Sequence, residues 1–353
     1  MNIIKLIVAF FAAFFQIISP LGVMITGGEA SFFESWSASE KFAEDDYIEL
    51  QKDPDRDFVI LNLADVQLKD DELFGNEGEY TFELIEKMIK DQKPDLITLT
   101  GDNAWGLVSY VELINFLDSF EIPWAPVMGN HDGQSTFNEF WCAYLMDQSD
   151  YCLFKFGPKN MGYGNYIINI TENNKIIHTL YMMDTHDSAT FEGVDGYDHL
   201  WENQISWYKW AVRGTESLAG EPVESTVFIH IPVYEYSTAW DLYGDDATQK
   251  IKPELAEVAQ GYNREGVFCS PVNNGFFGVC QTLGSTKNII CGHDHVNNFQ
   301  AYYEGIRLNY ALKSGYGSYW DADLNGASVI TVDSLGDAEV THEYYAPLHG
   351  IRP

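Results

Sequence analysis

Four of the nine histidines in this 353-residue chain fall in short motifs, each at the end of a run with strand-like pattern. The strand predicted over 95–100 ends in Gly101-Asp102-Asn103, and the one over 124–128 ends in Gly129-Asn130-His131-Asp132. A run over 226–231 carries His230 near its end, and a run ending at Cys291 leads into Gly292-His293-Asp294-His295. The earliest strand, 58–64, ends in Asp65-Val66-Gln67. Five polar tips are therefore expected at one edge of one sheet. Carboxylate, amide oxygen and imidazole together suit divalent or trivalent Fe, Mn or Zn. The two imidazoles of Gly-His-x-His alternate in direction and could serve two adjacent metals. Two metals about 3.5–4 Å apart clamp an in-line displacement at phosphorus, one activating a hydroxide and both neutralising phosphate oxygens. Taken singly, Asp65, Asp102 or His230 would read as ordinary structural residues; the ordered set of motifs carries the chemistry.

The elements that must position these tips follow from apolar period. Runs over 58–64, 95–100 and 124–128 read as buried strands, while 80–91 and 109–120 show helical spacing. Strand alternating with helix predicts parallel βαβ units with functional loops at the carboxyl ends of the strands. Further strands are expected over 166–170, 176–183 and 226–231, with a helix around 204–212. Short alternating runs over 307–312, 328–332 and 339–345 suggest a second sheet packed on the first. Residues 57–353 thus read as a single α/β (α+β) domain behind a lead-in segment over 31–56. Glycines at Gly101, Gly129 and Gly292 permit sharp turns at the tips.

Composition narrows the partners. With 53 acidic against 20 basic residues the formal net charge is -33, so the surface repels phosphate backbones and no nucleic-acid partner is expected. An anionic small substrate needs local positive charge, which bound metal ions would supply. Met1–Phe15, with Lys5 ahead of an apolar run, reads as the core of a secretory signal within residues 1–30, the alternative being an uncleaved anchor. Secretion, or the lumen of the secretory or lysosomal pathway, is the expected setting, with no membrane span after cleavage. Two local disulfides, Cys142 with Cys152 and Cys269 with Cys280, are the simplest pairing, leaving Cys291 as a buried thiol. Asn169-Ile170-Thr171 is an acceptor sequence for N-glycosylation.

The phrases GDNAWG, GNHDG, FIHIPVYEY and CGHDHVNNF resemble the calcineurin-like metallophosphoesterase superfamily, in the branch related to the purple acid phosphatases and the Dcr2-type phosphoesterases. The resemblance runs from about Phe58 to Tyr345. It implies a four-layer sandwich of two mixed β-sheets flanked by helices, with a dinuclear centre at its edge that hydrolyses phosphomonoesters or phosphodiesters. It also implies that Asp102 bridges both metals, that Asp65 and His295 complete the ligands of the first metal, and that Asn130, His230 and His293 hold the second metal. His131 resembles the non-ligand histidine that stabilises phosphoryl charge or protonates the leaving oxygen. Two departures stand out. The superfamily's usual Asp-x-His is here Asp65-Val66-Gln67, and where the coloured purple acid phosphatases place a tyrosine three residues after the bridging aspartate, this chain has Trp105. Gln67 is left as a weak ligand or a donor outside the metal shell.

The rival reading, from another class, is a catalytically weakened relative that keeps the fold and acts as a binding protein; Gln67 favours it, whereas His131, His293 and His295 together favour the enzyme. No Gly-x-Ser-x-Gly elbow or nucleotide-binding P-loop appears in the sequence. Tyr234, Tyr236, Trp240, Tyr316, Tyr319 and Trp320 lie near the motif-bearing loops, as packing or as a stacking surface for substrate.

Overall fold

The computed structural model describes residues 18–73, 75–134 and 137–353, so the signal pattern over Met1–Phe15 lies outside the described residues. Residues 18–26 are helical, Pro20 and Gly22 included. The chain then runs through β1 (Ile48–Gln51), β2 (Phe58–Leu63), α1 (Asn76–Gln92), β3 (Leu96–Thr100), α2 (Leu107–Asp118), β4 (Trp124–Val127) and α3 (Glu139–Asp147). It continues with β5 (Tyr166–Glu172), β6 (Lys175–Met182), α4 (Glu202–Ala219), β7 (Glu224–Phe228), α5 (Glu235–Tyr243), β8 (Ala259–Gln260), α6 (Phe276–Leu283) and β9 (Thr286–Cys291). Last come β10 (Gln300–Tyr303), β11 (Ile306–Tyr310), β12 (Gly326–Val332) and β13 (Ala338–Tyr344).

Two mixed sheets form. One has the order β13-β12-β2-β3-β4, and the other the order β1-β5-β6-β7-β9-β11-β10-β8. Strands β2, β3 and β4 pair in parallel, as expected of βαβ units, and so do β6, β7, β9 and β11. The parallel strands therefore end on a common side in each sheet. Alternation along the strands sorts the cores: Ile168, Ile170, Leu180, Met182, Phe228 and Ile290 pack toward the five-stranded sheet and helices α1 to α3. Their neighbours Ile167, Tyr181, Val227 and Ile289 pack with Trp207, Tyr208, Tyr236, Ala239, Phe276 and Phe277 of helices α4 to α6. The result is the four-layer arrangement that the resemblance implied. Helix α1 shows the local logic, with Leu84, Ile85, Met88 and Ile89 on the buried face and Lys93 in left-handed conformation at its end.

Three expectations are corrected. The C-terminal hairpin β12–β13 does not build the second sheet; it pairs antiparallel to β2 and extends the first. The expected disulfides are absent, all five cysteines being free thiols. Nearness in sequence does not bring their thiols together: Cys142 sits in the buried face of α3 with its thiol donating to the Asp132 carbonyl at 3.2 Å, whereas Cys152 lies on a stretch bridged to Trp124. Cys280 is buried in α6 and Cys269 is in a loop outside it, with burial pushing their thiol pKa values up to about 12 and about 11. The glycosylation triplet lies inside β5 between two partner strands, and Asn169 is 0% exposed, so a glycan there is incompatible with the fold. Among the described residues no helix is long and apolar enough to cross a membrane.

Candidate metal centre

The polar tips meet, but at the facing edges of two sheets rather than at one edge of one. Asp65, Asp102 and Asn130 follow β2, β3 and β4, while His230, His293 and His295 follow β7 and β9. Parallel strands deliver their carboxyl ends to one side, and packing one sheet on the other brings the two sets of tips together. All six side chains are buried.

Backbone strain marks the same loops. Asp65, Gln67, Asp102 and His293 have φ of 51°, 43°, 49° and 77°, a region that costs an L-residue about 1 kcal/mol or more. The glycines act differently from one another. Gly101 has φ 84°, and a Cβ there would also lie 2.6 Å from His230 Nδ1. At Gly129 the obstacle is proximity alone, since a Cβ would lie 2.1 Å from the Asp102 backbone nitrogen. Asp132 fixes the same turn, accepting from Gly129 N at 2.7 Å and from both Asn103 N and Nδ2 at 2.9 Å.

Two groups of donors face each other. Asp65, Asp102 and His295 each place one ligand atom within 4.8 Å of the others', and Asp65 Oδ1 stands 3.6 Å from His295 Nε2. On the other side, His230 Nε2 lies 2.9 Å from Asn130 Oδ1, 3.2 Å from His293 Nδ1 and 3.4 Å from Asp102 Oδ1. Asp102 thus touches both groups. His230 and His295 are aimed through their other nitrogens, Nδ1 of each lying 2.8 Å from Thr100 O and 2.9 Å from Tyr319 O. Burial drives His293 and His295 well below the ordinary imidazole pKa, keeping them in the neutral form that ligates metals. Burial works against a charge on His230 too, but the Asp102 and Asp65 carboxylates outweigh it and raise its pKa. Burial also lifts the Asp65 carboxyl to about 7. Buried carboxylates beside the neutral His293 and His295 imidazoles fit a bound cation.

Gln67 joins the first group through Asp102: its Nε2 donates to Asp102 Oδ2 at 2.8 Å. Its Oε1 is buried with no hydrogen-bond partner among the described residues. An orphaned amide oxygen beside the shared carboxylate is the observation that fits a metal ligand at this position. Trp105 stacks on the His131 ring at 4.3 Å, and Lys69 lies over Trp105 at 5.1 Å from its centroid. His131 N donates to Asp102 Oδ1 at 2.8 Å, and its Nδ1 pairs with Gln134 Oε1 at 2.8 Å.

Sequence patterns missed three neighbours of the centre. Lys313 is buried with Nζ donating to the Asp65 carbonyl at 2.5 Å, and burial lowers its pKa to about 8. Tyr197 packs edge-on against His293 at 4.3 Å, and Gln134 holds His131. None lies in a recognisable motif. Of the aromatic residues near the loops, Tyr236, Trp240, Tyr316 and Trp320 are core, whereas Tyr319 is 50% exposed and stacks on His295. His186, outside the motifs, pairs with Gln204 at 2.8 Å and stacks on Trp201.

A two-sheet sandwich that gathers carboxylates and neutral imidazoles at its facing strand ends has the architecture of a metallophosphoesterase. The family model of the calcineurin-like phosphoesterases matches residues 58–297, and the chain belongs to that family. A relative in Arabidopsis thaliana named probable inactive purple acid phosphatase 28 is 26% identical over 325 residues, 82% of this chain and 78% of the relative. Phosphatase DCR2 of Saccharomyces cerevisiae is 28% identical over 278 residues, 71% of this chain and 46% of the yeast protein. Among solved structures, a dimetal phosphatase from Danio rerio superposes with a TM-score of 0.51 at 12% identity, covering 82% of this chain and 96% of that one. At that identity the likeness is one of fold.

Proposed function

We propose that the chain hydrolyses phosphomonoesters or phosphodiesters with two metal ions, Fe, Mn or Zn, held at this edge. The observation that carries the reading is Asp102 lying between two facing donor groups, Asp65 and His295 on one side and Asn130, His230 and His293 on the other. Asp65, His295 and the Gln67 amide oxygen would hold one ion, and Asn130, His230 and His293 the other, with Asp102 shared. Two such ions supply Lewis acidity to the phosphoryl oxygens and lower the pKa of an attacking water. The chain's own residues do the rest. Thr100 O and Tyr319 O orient the imidazoles, Gln67 Nε2 fixes the shared carboxylate, and His131 stabilises phosphoryl charge or delivers a proton to the leaving oxygen.

A binding protein without turnover is the second reading, favoured by Gln67 in place of the family's histidine and by relatives whose names include "inactive". A secretory or lysosomal setting belongs to the same proposal and rests on the Met1–Phe15 pattern. The test is a screen of phosphomonoesters, phosphodiesters and sphingomyelin-type lipids with metal analysis of the same sample. Turnover of at least one ester by metal-loaded protein is expected, and fully loaded protein that turns over none of them supports the binding reading.

A further inference from the structure

His131 would serve the proposed reaction only if the proton-exchanging nitrogen faces the substrate, and the imidazole can be built with its hydrogen on either nitrogen. The residues around it decide between them. The short helical turn Asp132–Gln134 follows directly, and Gln134 N bonds back to His131 O at 3.0 Å. The Gln134 amide then curls over the turn. Its Nε2 donates to the Asn130 carbonyl at 2.9 Å and reaches Asp187 Oδ2 at 3.5 Å. Both of those partners are acceptors only, so the NH2 end of the amide is fixed there, and Oε1 is the atom left facing His131 Nδ1 at 2.8 Å. An amide oxygen accepts and never donates. Nδ1 must therefore carry the hydrogen.

Trp105 closes the arrangement from the side. Its ring lies on His131 at 24° between planes, and its Nε1 donates to the Gln134 carbonyl at 3.3 Å. The position that the sequence marks as lacking a phenolate ligand thus carries a ring that clamps both His131 and the residue pairing with it. The Gln134 side chain is solvent-exposed, so water competes for each single hydrogen bond; the several contacts together set the geometry.

We propose that Gln134 is a positioning residue that holds the Nδ1 hydrogen of His131, so that Nε2 is the ring atom that exchanges a proton with substrate: the imidazolium delivers its Nε2 proton to the leaving oxygen and is left as the neutral Nδ1–H ring. The catalytic half of this rests on the phosphoesterase reading above; the tautomer half does not. Unlike a carboxylate, the amide fixes the ring without adding a negative charge beside an imidazole meant to meet an anionic ester. The choice suits a chain of net charge -33.

The test uses zinc-loaded full chain with 15N-labelled histidine and a two-bond proton–nitrogen correlation spectrum, His131 being assigned from His131→Gln. The expected wild-type pattern for neutral His131 is Nδ1 protonated. In Gln134→Leu the Nε2–H form becomes populated, and kcat falls about 10- to 100-fold while KM and metal content are kept. Gln134→Glu restores an acceptor and with it the Nδ1–H pattern. An Nε2–H pattern in the wild type overturns the proposal outright, even if Gln134→Leu does not fold, and so does an unchanged Nδ1–H pattern in Gln134→Leu. A wild type that turns over no ester removes the catalytic reading while the spectra still decide what Gln134 does.

Discussion

Buried histidine occurs in two regions of this molecule, and the contrast shows what distinguishes a structural imidazole from a ligand. Inside the sheets, His178 has Nδ1 2.8 Å from Gly336 O and Nε2 3.0 Å from Thr226 Oγ1. His342 likewise has Nδ1 at 3.1 Å from Ser328 Oγ and Nε2 at 3.2 Å from Asn298 O. Both nitrogens of each are satisfied by ordinary polar groups. At the strand ends a second partner is itself a candidate ligand: His230 has Nδ1 on Thr100 O but Nε2 on Asn130 Oδ1 and close to Asp102 Oδ1. His295 uses Nδ1 on Tyr319 O while Nε2 faces Asp65 across 3.6 Å, and His230 and His293 face each other at 3.2 Å. His178 is as buried as the strand-end imidazoles and His342 is half-buried; what differs is the partner of the second nitrogen. Imidazoles that face carboxylates and one another leave room for a cation.

The largest effect expected is on a histidine that belongs to neither class. His131→Ala lowers turnover by about 10² to 10⁴-fold while metal content survives, as suits a group outside the metal shell. Normal turnover, measured beside metal content, would reject its role. His293→Ala breaks the contrast at the strand ends: metal affinity falls by more than the roughly 10- to 100-fold that losing a supporting partner costs, and activity falls with it. In His178→Gln metal content is retained and the change appears in stability alone. Equal metal loss in both variants would erase the distinction.

The core histidines carry a pH prediction. Burial lowers both His178 and His342 to about 4 from an ordinary 6.5. The unfolded chain therefore takes up their protons first as pH falls, so stability is full above about 6.5 and is lost between there and about 4. Each contributes about 3 kcal/mol at most over that window. Urea denaturation across pH 4–7 checks this, with His178→Gln expected to flatten the slope by about one proton. A slope unchanged in the variant would contradict it.

The motifs that carry the candidate ligands were legible because each combines a strand end, a glycine and a fixed spacing. Their convergence was legible as well, but not its place. Apolar alternation does not give strand order, so by itself it places the hairpin β12–β13 in the second sheet and the tips at a single edge. Lys313 and Tyr197 left no pattern because their roles exist only through contacts made across the fold, and Gln134, three residues from His131, left none because no apolar period marks the turn that brings them together. The cysteines failed for the opposite reason, since nearness in sequence suggested pairs that helix α3 and helix α6 hold apart.

The smallest expected effect sharpens the contrast within the centre. A neutral amide donates to a transition metal more weakly than imidazole, and Gln67 also spends its Nε2 on Asp102. Gln67→His is expected to raise affinity at the first site by about tenfold and leave the second unchanged. Identical affinities in metal titrations of the two proteins would end the weak-ligand assignment.

The most direct test of the centre is metal stoichiometry joined to reversal. Protein purified without chelator under Fe, Mn and Zn supplementation is expected to hold two ions per chain, to lose ester hydrolysis on mild chelation and to regain it with added metal. A stoichiometry of zero or one under every supplementation would contradict the dinuclear account.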